Sequence, residues 1–572
     1  MFFTNRKRST RNFDLSPDEI FVDASNLPAY DEQQFEGRLE RAISRRAFYG
    51  VAIFCFFIFT VFIGRTFWLT VMKGEYYAER GKNNSLNFTP IFAERGNIYD
   101  RKGKVLVWTD NATSTDDRIG PKRVYLDTPG LGHLLGYVSF PNATEFATGR
   151  FHPQEFLGRD GVERTYNEYL LGERGVRIVE VGADGKQVSD HVVEKPIPGQ
   201  ELKLSVDHKV QAKLYEFMNQ LAIDRGFAGG GAVIMDVQTG EILALASYPD
   251  YNPNILAAGQ DKKTISKYLT SNNNFMLDRS IGGLYAPGST FKLFVAIGAL
   301  AEKTVNPLKN FITNGKLIVP NPYDKTKETV FKDWQNNGTV DMRRAIAVSC
   351  DVYFYIIGGG FGSQSGLGIL KIEKYAELFG LKEKTGIDLP GEEEGVIPSP
   401  EWKAKNFKGE AWTLGNTYHT SIGQYGTQVT PIQMARAYAA IANNGKLLKP
   451  TVVKIKPGQL ITSTKISLDP NVWTTVHEGM RQTVTEGTAK SLNLPSVTVA
   501  AKTGSAEIGV TKMTVNSWIA GYWPYENPRY AFAVVMEKGE RTNTVGSVTV
   551  IQQLLEWMTI YAPEYLSVPA RP

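Results

Sequence analysis

Hydrophobic and polar positions change their period several times along this chain, and each change marks a boundary. From Ala47 to Gly64 no charged residue occurs. Arg45-Arg46 precede the run, and after Arg65 an apolar stretch continues from Thr66 to Met72. As a helix the first run spans ~27 Å against a hydrocarbon core of ~30 Å, so one transmembrane helix is predicted over residues 47–72, with Arg65 snorkelling or packed on a partner. The run starts too far from residue 1, and is too long, for the apolar stretch of a cleaved signal peptide, and no small-x-small site follows it. Residues 1–46, of mixed charge and without a sustained apolar period, read as a tail, mostly disordered and helical at most from Asp31 into the membrane; Arg38, Arg41, Arg45 and Arg46 before the span against Lys73, Arg80 and Lys82 after it give a slight bias to a cytoplasmic side.

Beyond the membrane the pattern breaks into short pieces. A Gly-punctuated loop leads into a predicted strand from Lys104 to Trp108, and Gly-rich turns join short amphipathic segments up to a proline-bearing stretch, Val193 to Leu204. Residues 73–200 therefore read as a small mixed domain, a pedestal for a larger one. Ser205 to Leu221 has helical spacing, and Gly231 to Leu245 reads as a hairpin turning at Thr239-Gly240. Leu293 to Ala301 is almost wholly apolar, the mark of a buried helix. Asp341 to Ile357 keeps helical spacing but is interrupted at Ser349-Cys350-Asp351, and Val497 to Ala501 and Ser517 to Tyr522 read as neighbouring strands. The expected fold class is α+β and multidomain: residues 1–46 tail, 47–72 membrane helix, 73–200 pedestal, 201–566 a larger domain with an antiparallel sheet and flanking helices.

The candidate chemistry sits where the buried helix begins. In Ala286-Pro287-Gly288-Ser289-Thr290-Phe291-Lys292, Pro and Gly punctuate a turn, Ser289 stands at a helix start and Lys292 follows one turn later on the same face. The two side chains are expected to point at each other. A serine hydroxyl needs a base within hydrogen-bond reach to attack a carbonyl, and a buried lysine that loses its proton can serve. The bland alternative is a capping serine with a snorkelling lysine, and Ser-x-x-Lys alone is a weak signal. Two further motifs come after it in order: Ser349-Cys350-Asp351, and Lys502-Thr503-Gly504-Ser505 on a predicted edge strand. A capping pair and a solvated strand end are the bland readings of these. Gly504 would let a ligand backbone approach, and a cation with hydroxyl neighbours suits a carboxylate.

Composition narrows the field. The 572 residues are 42% hydrophobic and 22% charged, as in globular proteins, and 64 basic against 59 acidic residues leave +5, which gives no argument for nucleic acid. The two cysteines, Cys55 in the apolar run and Cys350 in the candidate site, are not expected to pair. The six histidines form neither a Ser-His-Asp nor a metal-ligand pattern, so no metal and no cofactor is expected. His133 reads as a structural hydrogen-bonder.

Taken together, Ser289-x-x-Lys292, Ser349-x-Asp351 and Lys502-Thr503-Gly504 resemble the motif triplet of penicillin-binding proteins and serine β-lactamases. Arg95-Gly96-Asn97-Ile98-Tyr99-Asp100-Arg101-Lys102-Gly103, Gly132 to Tyr137 and Gly158 to Asn167 resemble pedestal motifs of the class B penicillin-binding proteins. Most of that family has asparagine where Asp351 stands. The elongation-type group, penicillin-binding protein 2, is similar to this chain in having aspartate there, followed by a run like Tyr353-Phe354-Tyr355. Between Arg101 and Gly132 the chain is much shorter than the family pattern, which implies a reduced outer pedestal.

The resemblance implies a serine β-lactamase-like transpeptidase domain, held outside the cytoplasmic membrane, that cross-links peptidoglycan through an acyl-serine. Ser289 would attack the penultimate D-Ala carbonyl of a stem peptide, and Ser349 would relay protons between Lys292 and the leaving amine. Lys502, with Thr503, Gly504 and Ser505, would hold the terminal carboxylate. Its charge is expected to lower the pKa of Lys292 from ~10.4. Backbone N–H groups of Ser289 and Ser505 would form the oxyanion hole. Thr385 to Gly391 and Ser421 to Ala435 resemble further landmarks, read as a surface loop and a helix start lining the site. β-Lactams should acylate the same serine. With no residues resembling a glycosyltransferase, a multi-span polymerase is the implied partner. The rivals are a D,D-carboxypeptidase or β-lactamase-like hydrolase, against which the pedestal motifs argue, and a non-catalytic β-lactam sensor or scaffold, which would carry a signalling domain or several membrane helices.

Overall fold

The computed structural model describes residues 44–110, 122–181, 187–321, 324, 326–509 and 512–567. Residues 1–43, and with them most of the expected tail, lie outside, as do residues 111–121 of the short interval before Gly132. The chain divides into two compact units, one of residues 1–87 with 179–189 and one of 88–178 with 190–572.

In the first unit Ser44 caps helix α1 (Arg45–Phe67), its hydroxyl accepting from the Ala47 N–H, and a wider π-helical turn carries the rod to Met72. The 28 residues from Arg45 to Met72 have a mean hydropathy of 2.3 and bury nothing inside the protein, so their phenylalanines can only be covered from outside. Thr60 and Thr70 return their hydroxyls to carbonyls one turn back. Arg65 does not break the span. Its guanidinium lies over the Trp68 ring, 4.6 Å from the centroid, which keeps the charge near the end of the rod. Helix α2 (Gly74–Ser85) comes next.

The second unit opens with a four-stranded sheet built from β1 (Ile98–Tyr99), β2 (Val105–Asp110), β3 (Lys122–Tyr125) and β4 (Leu202–Lys203), in the order β3-β2-β1-β4. Its core is electrostatic as well as apolar. Glu163, fully buried, accepts from Arg95 Nε at 2.7 Å and from Arg123 Nε at 2.8 Å, and Arg123 also donates to the Gly96 carbonyl. Burial pushes the Glu163 carboxyl up, and the charges of Arg123 and Arg95 outweigh it, holding the group below the usual range. Gly136 is required where it stands: φ is +72° and a Cβ would lie 1.7 Å from the Asp160 carbonyl oxygen. Asp100 takes the Lys102 and Lys104 N–H groups on one oxygen, and its other oxygen lies 2.6 Å from His208 Nδ1, which ties the Arg95–Gly103 loop to the start of the helix beginning at His208. Among the described residues His133 makes none of the hydrogen bonds expected of it. It is buried, edge-on to the Tyr251 ring at 4.8 Å and 3.7 Å from Asp250, with neither ring nitrogen bonded.

The larger domain is built on helix α3 (His208–Arg225), strands β5 (Gly229–Asp236) and β6 (Ile242–Tyr248), helix α4 (Lys292–Ala301), strands β7 (Lys316–Pro320) and β8 (Glu328–Lys332), helices α5 (Met342–Ala347), α6 (Asp351–Gly359), α7 (Pro431–Ala442) and α8 (Pro470–Thr485), strands β9 (Ala500–Ile508), β10 (Thr514–Trp523) and β11 (Tyr530–Glu540), and helix α9 (Ser547–Tyr561). Helix α3 starts three residues later than its apolar period suggests because Asp207 caps it. The main sheet is antiparallel with strand order β6-β5-β11-β10-β9.

Alternation decides its layering: Ala232 and Ile234 join the core under α3 and α9, whereas Val233 and Met235 join the core that holds α4, α6 and α7. With both faces covered, the strands read as continuous apolar runs. The Thr385–Gly391 segment is not a surface loop. Ile387 and Leu389 are buried, and Asp388 accepts from the Tyr166, Thr451 and Val452 donors.

Candidate active site

Ser289 sits on a single 3₁₀ turn, Gly288–Phe291, that runs directly into α4. In a 3₁₀ turn residues i and i+3 eclipse, so Ser289 and Lys292 do share a face. The turn is pinned from three sides: Thr290 Oγ1 donates to the Pro287 carbonyl, the Tyr438 hydroxyl to the Thr290 carbonyl, and Trp518 Nε1 to the Ala286 carbonyl. Gly288 has φ +54°, and a Cβ there would lie 2.8 Å from the Ser505 carbonyl oxygen, so glycine lets the turn press against the edge strand β9. Gly504 answers it from the strand. Its Cβ position is filled by the Pro287 carbonyl at 2.7 Å, so the approach it permits is that of the protein's own backbone rather than a ligand's.

Lys292, with no exposed surface, does not bond to Ser289. Among the described residues its ammonium donates to the Ser349 carbonyl (2.7 Å), to Ser349 Oγ (3.3 Å) and to Asp351 Oδ1 (2.5 Å). An opposite charge inside the protein outcompetes a neutral hydroxyl, and Ser289 is left half-buried. Ser349 lies in the break between α5 and α6 at φ +57°, a region an L-residue rarely occupies. Lys502, also without exposed surface, donates to Ser349 Oγ at 2.8 Å and to its neighbour's carbonyl at 3.0 Å. Both lysines thus converge on one hydroxyl. Thr503 Oγ1 lies 2.5 Å from Thr488 Oγ1, and Ser505 is exposed on β9. A cavity of about 400 Å³ lies beyond Ala286, between Tyr425 and Glu507.

The charges are unevenly held. Burial pushes Lys502 well below the usual lysine range, the nearby charge of Lys292 adds to this, and Asp351 opposes it. Asp351 is raised, first by burial and with help from Asp333, against the pull of Lys292. From the motifs alone Lys502 is expected to act on Lys292; in the structure the charge of Lys292 is, after burial, the second cause of the depression of Lys502. Cys350 faces away from the lysines, its thiol donating to Asp333 at 3.1 Å, and both cysteines are free. Sequence reasoning missed Tyr438, Thr488 and Asp333, which lie far along the chain from their partners and carry no local pattern.

A serine on a pinned turn, two buried lysines meeting on a second serine, and an edge strand beside them define a serine acyl-transfer site of the penicillin-recognising kind. Residues 230–555 match the penicillin binding protein transpeptidase domain, and residues 118–204 match the penicillin-binding protein dimerisation domain. The chain belongs to the penicillin-binding protein transpeptidase family.

Its relatives narrow this to class B and the elongation-type penicillin-binding protein 2 group. It is 31% identical over 435 residues to the peptidoglycan D,D-transpeptidase MrdA of Acinetobacter baumannii, covering 72% of this chain and 62% of that one. The crystal structure of Pseudomonas aeruginosa PBP2 in complex with WCK 5153 superposes with a TM-score of 0.70 at 30% identity, over 85% of this chain and all of that one. A chain of a peptidoglycan synthase complex that coordinates polymerization and crosslinking has a TM-score of 0.71 at 26% identity, over 92% of this chain and 99% of that one.

Proposed function

We propose that this chain is a membrane-anchored D,D-transpeptidase that cross-links peptidoglycan stem peptides on the outer side of the cytoplasmic membrane, with Ser289 as its nucleophile. The observation that carries the assignment of roles is the convergence of Lys292 and Lys502 on Ser349 Oγ beside the Ser289 turn. As the base, Lys292 acts in its deprotonated form, beside Ser349 and Asp351. Lys292 takes the Ser289 proton as Oγ attacks the penultimate D-Ala carbonyl. The oxyanion is held by the Ser289 and Ser505 N–H groups, and the proton passes through Ser349 to the departing D-Ala amine. Lys502, Thr503 and Ser505 hold the terminal carboxylate. An amine of a second stem peptide then attacks the acyl-serine, its proton returns by the same relay, and Ser289 is regenerated. Gly504 serves by letting the turn and strand close together.

β-Lactams, offering a carbonyl and a carboxylate in similar array, acylate the same serine. The glycan is supplied by a multi-span polymerase, a reading supported by the likeness to a synthase-complex chain. The test is labelling with a fluorescent penicillin followed by peptide mapping. Label on the peptide containing Ser289, and none on folded Ser289→Ala, is expected; residual label on another serine of the folded variant would overturn the assignment. Incubation with D-Ala-D-Ala-terminated stem peptides should give cross-linked dimers in place of the trimmed monomers a carboxypeptidase would release.

A further inference from the structure

Three consecutive residues at the end of β8 reach the Ser349 turn and the helix α6 that follows it from outside. The Lys332 carbonyl accepts from the Tyr355 hydroxyl at 3.2 Å. Asp333 Oδ2 accepts from the Cys350 thiol and from the Val352 N–H, each at 3.1 Å. Trp334 Nε1 donates to the Val348 carbonyl at 3.2 Å, although the indole is otherwise 56% exposed. The segment is anchored in turn: the Asp333 N–H donates to the Gly315 carbonyl at 2.9 Å, and Asn337 Nδ2 donates to Asp333 Oδ2. Residues 348, 350 and 352 are gripped, while Ser349 and Asp351 between them are left to face the lysines. The grip closes over Ser349 itself, whose φ of +57° is kept only where the surroundings impose it.

A cap for α6 would need a single acceptor at Val352. Here the same oxygen also takes the Cys350 thiol, and a second residue holds the chain on the other side of the turn. We infer that Asp333 and Trp334 are positioning residues for acyl transfer, clamping the Ser349–Asp351 turn so that Ser349 Oγ stays between Lys292 and Lys502. The inference rests on the reading of Ser289 as nucleophile.

The test uses the full chain and a concentration series of fluorescent penicillin, which separates the binding constant from the first-order acylation rate. Asp333→Ala should slow acylation roughly ten- to a hundredfold with little change in binding, as expected when reacting groups are displaced by about an ångström. Asp333→Asn keeps an oxygen able to accept from both Cys350 and Val352, and should stay within about threefold of the wild type. Trp334→Phe, which keeps the ring and loses the Val348 bond, should fall between them. Wild-type acylation by Asp333→Ala, a loss no larger than its unfolded fraction, or an Asp333→Asn as slow as the alanine variant would each overturn the clamp. A wild type that does not label at Ser289 would instead overturn the nucleophile assignment, and the reason for a clamp with it.

Discussion

Replacing Lys502 by methionine should stabilise the folded protein and disable it at once. The side chain has no exposed surface, stands near a second buried lysine, and is balanced by one carboxylate, Asp351, already 2.5 Å from the other ammonium. Its pKa lies well below the usual range because burial and then the charge of Lys292 disfavour the ammonium form. Proton counts fix the sign. Below its lowered native pKa the native state carries a cation it disfavours; once the pH rises through that pKa the native state sheds the proton while the unfolded chain keeps its own up to ~10.4, so wild-type stability rises across that window.

Lys502→Met fills the same volume without the charge, as when buried ionic groups are exchanged for packed apolar ones, a change worth from about zero to about 4 kcal/mol of stability. Its advantage should be largest below the lowered native pKa and shrink towards pH ~10.4. Function moves the other way. The ammonium is assigned to the substrate carboxylate, a charge-assisted hydrogen bond worth about 1.5–3 kcal/mol, so acylation efficiency should fall roughly ten- to 150-fold. Penicillin acylation at several concentrations, with thermal unfolding of the unliganded protein at neutral and alkaline pH, reads both effects. In the wild type, acylation efficiency should decline on the alkaline side well before the pH at which a free lysine titrates. A Lys502→Met protein less stable than the wild type, or one acylated at the wild-type rate, would refute the reasoning.

Cys350 is buried with its thiol pushed up to about 12 by burial and then by Asp333, so bulky thiol reagents at pH 8 should leave it unmodified in the native protein and modify it only on unfolding; rapid native-state modification would show that the turn opens. Glu163→Gln strips one buried charge from between Arg95 and Arg123 and should destabilise the pedestal by about 3–5 kcal/mol, seen as an earlier first urea transition, while penicillin acylation persists. Because the Glu163 carboxyl is held low, its contribution should be full above the unfolded value of ~4.3 and fade as pH falls through the lower native one, loosening the pedestal in acid.

What the sequence could reveal depended on how far apart the partners lie along the chain. Ser289 and Lys292 stand three residues apart, and any turn of helix puts them on one face. The β5–β6 hairpin was equally legible, since Thr239-Gly240 and apolar runs on either side are local signals, and the break at Ser349 showed as an interruption of helical period. What those local patterns could not supply was the competition for each polar group once the chain had closed. Lys292 is near Ser289 by helical geometry, yet its ammonium goes to Asp351, because in a dry interior an anion at hydrogen-bond distance outbids a neutral hydroxyl. Gly504 carries the mark of a close approach, but the approaching atom belongs to Pro287, more than two hundred residues earlier.

Asp388 shows the same thing in a segment rich in turn residues. Glycine, proline and aspartate spelled an exposed loop, whereas three donors from Tyr166, Thr451 and Val452 make that half-buried aspartate a fastening. Asp333 had no local signature at all, since an aspartate before a tryptophan and a run of amides is an ordinary turn until the fold delivers Cys350 and Val352 to it. Residue types that can do chemistry were visible in order; which of them are held, and by what, is a property of long-range contacts. It is those contacts, at Asp351, Asp333 and Pro287, that decide whether Ser289 meets a free lysine or an occupied one.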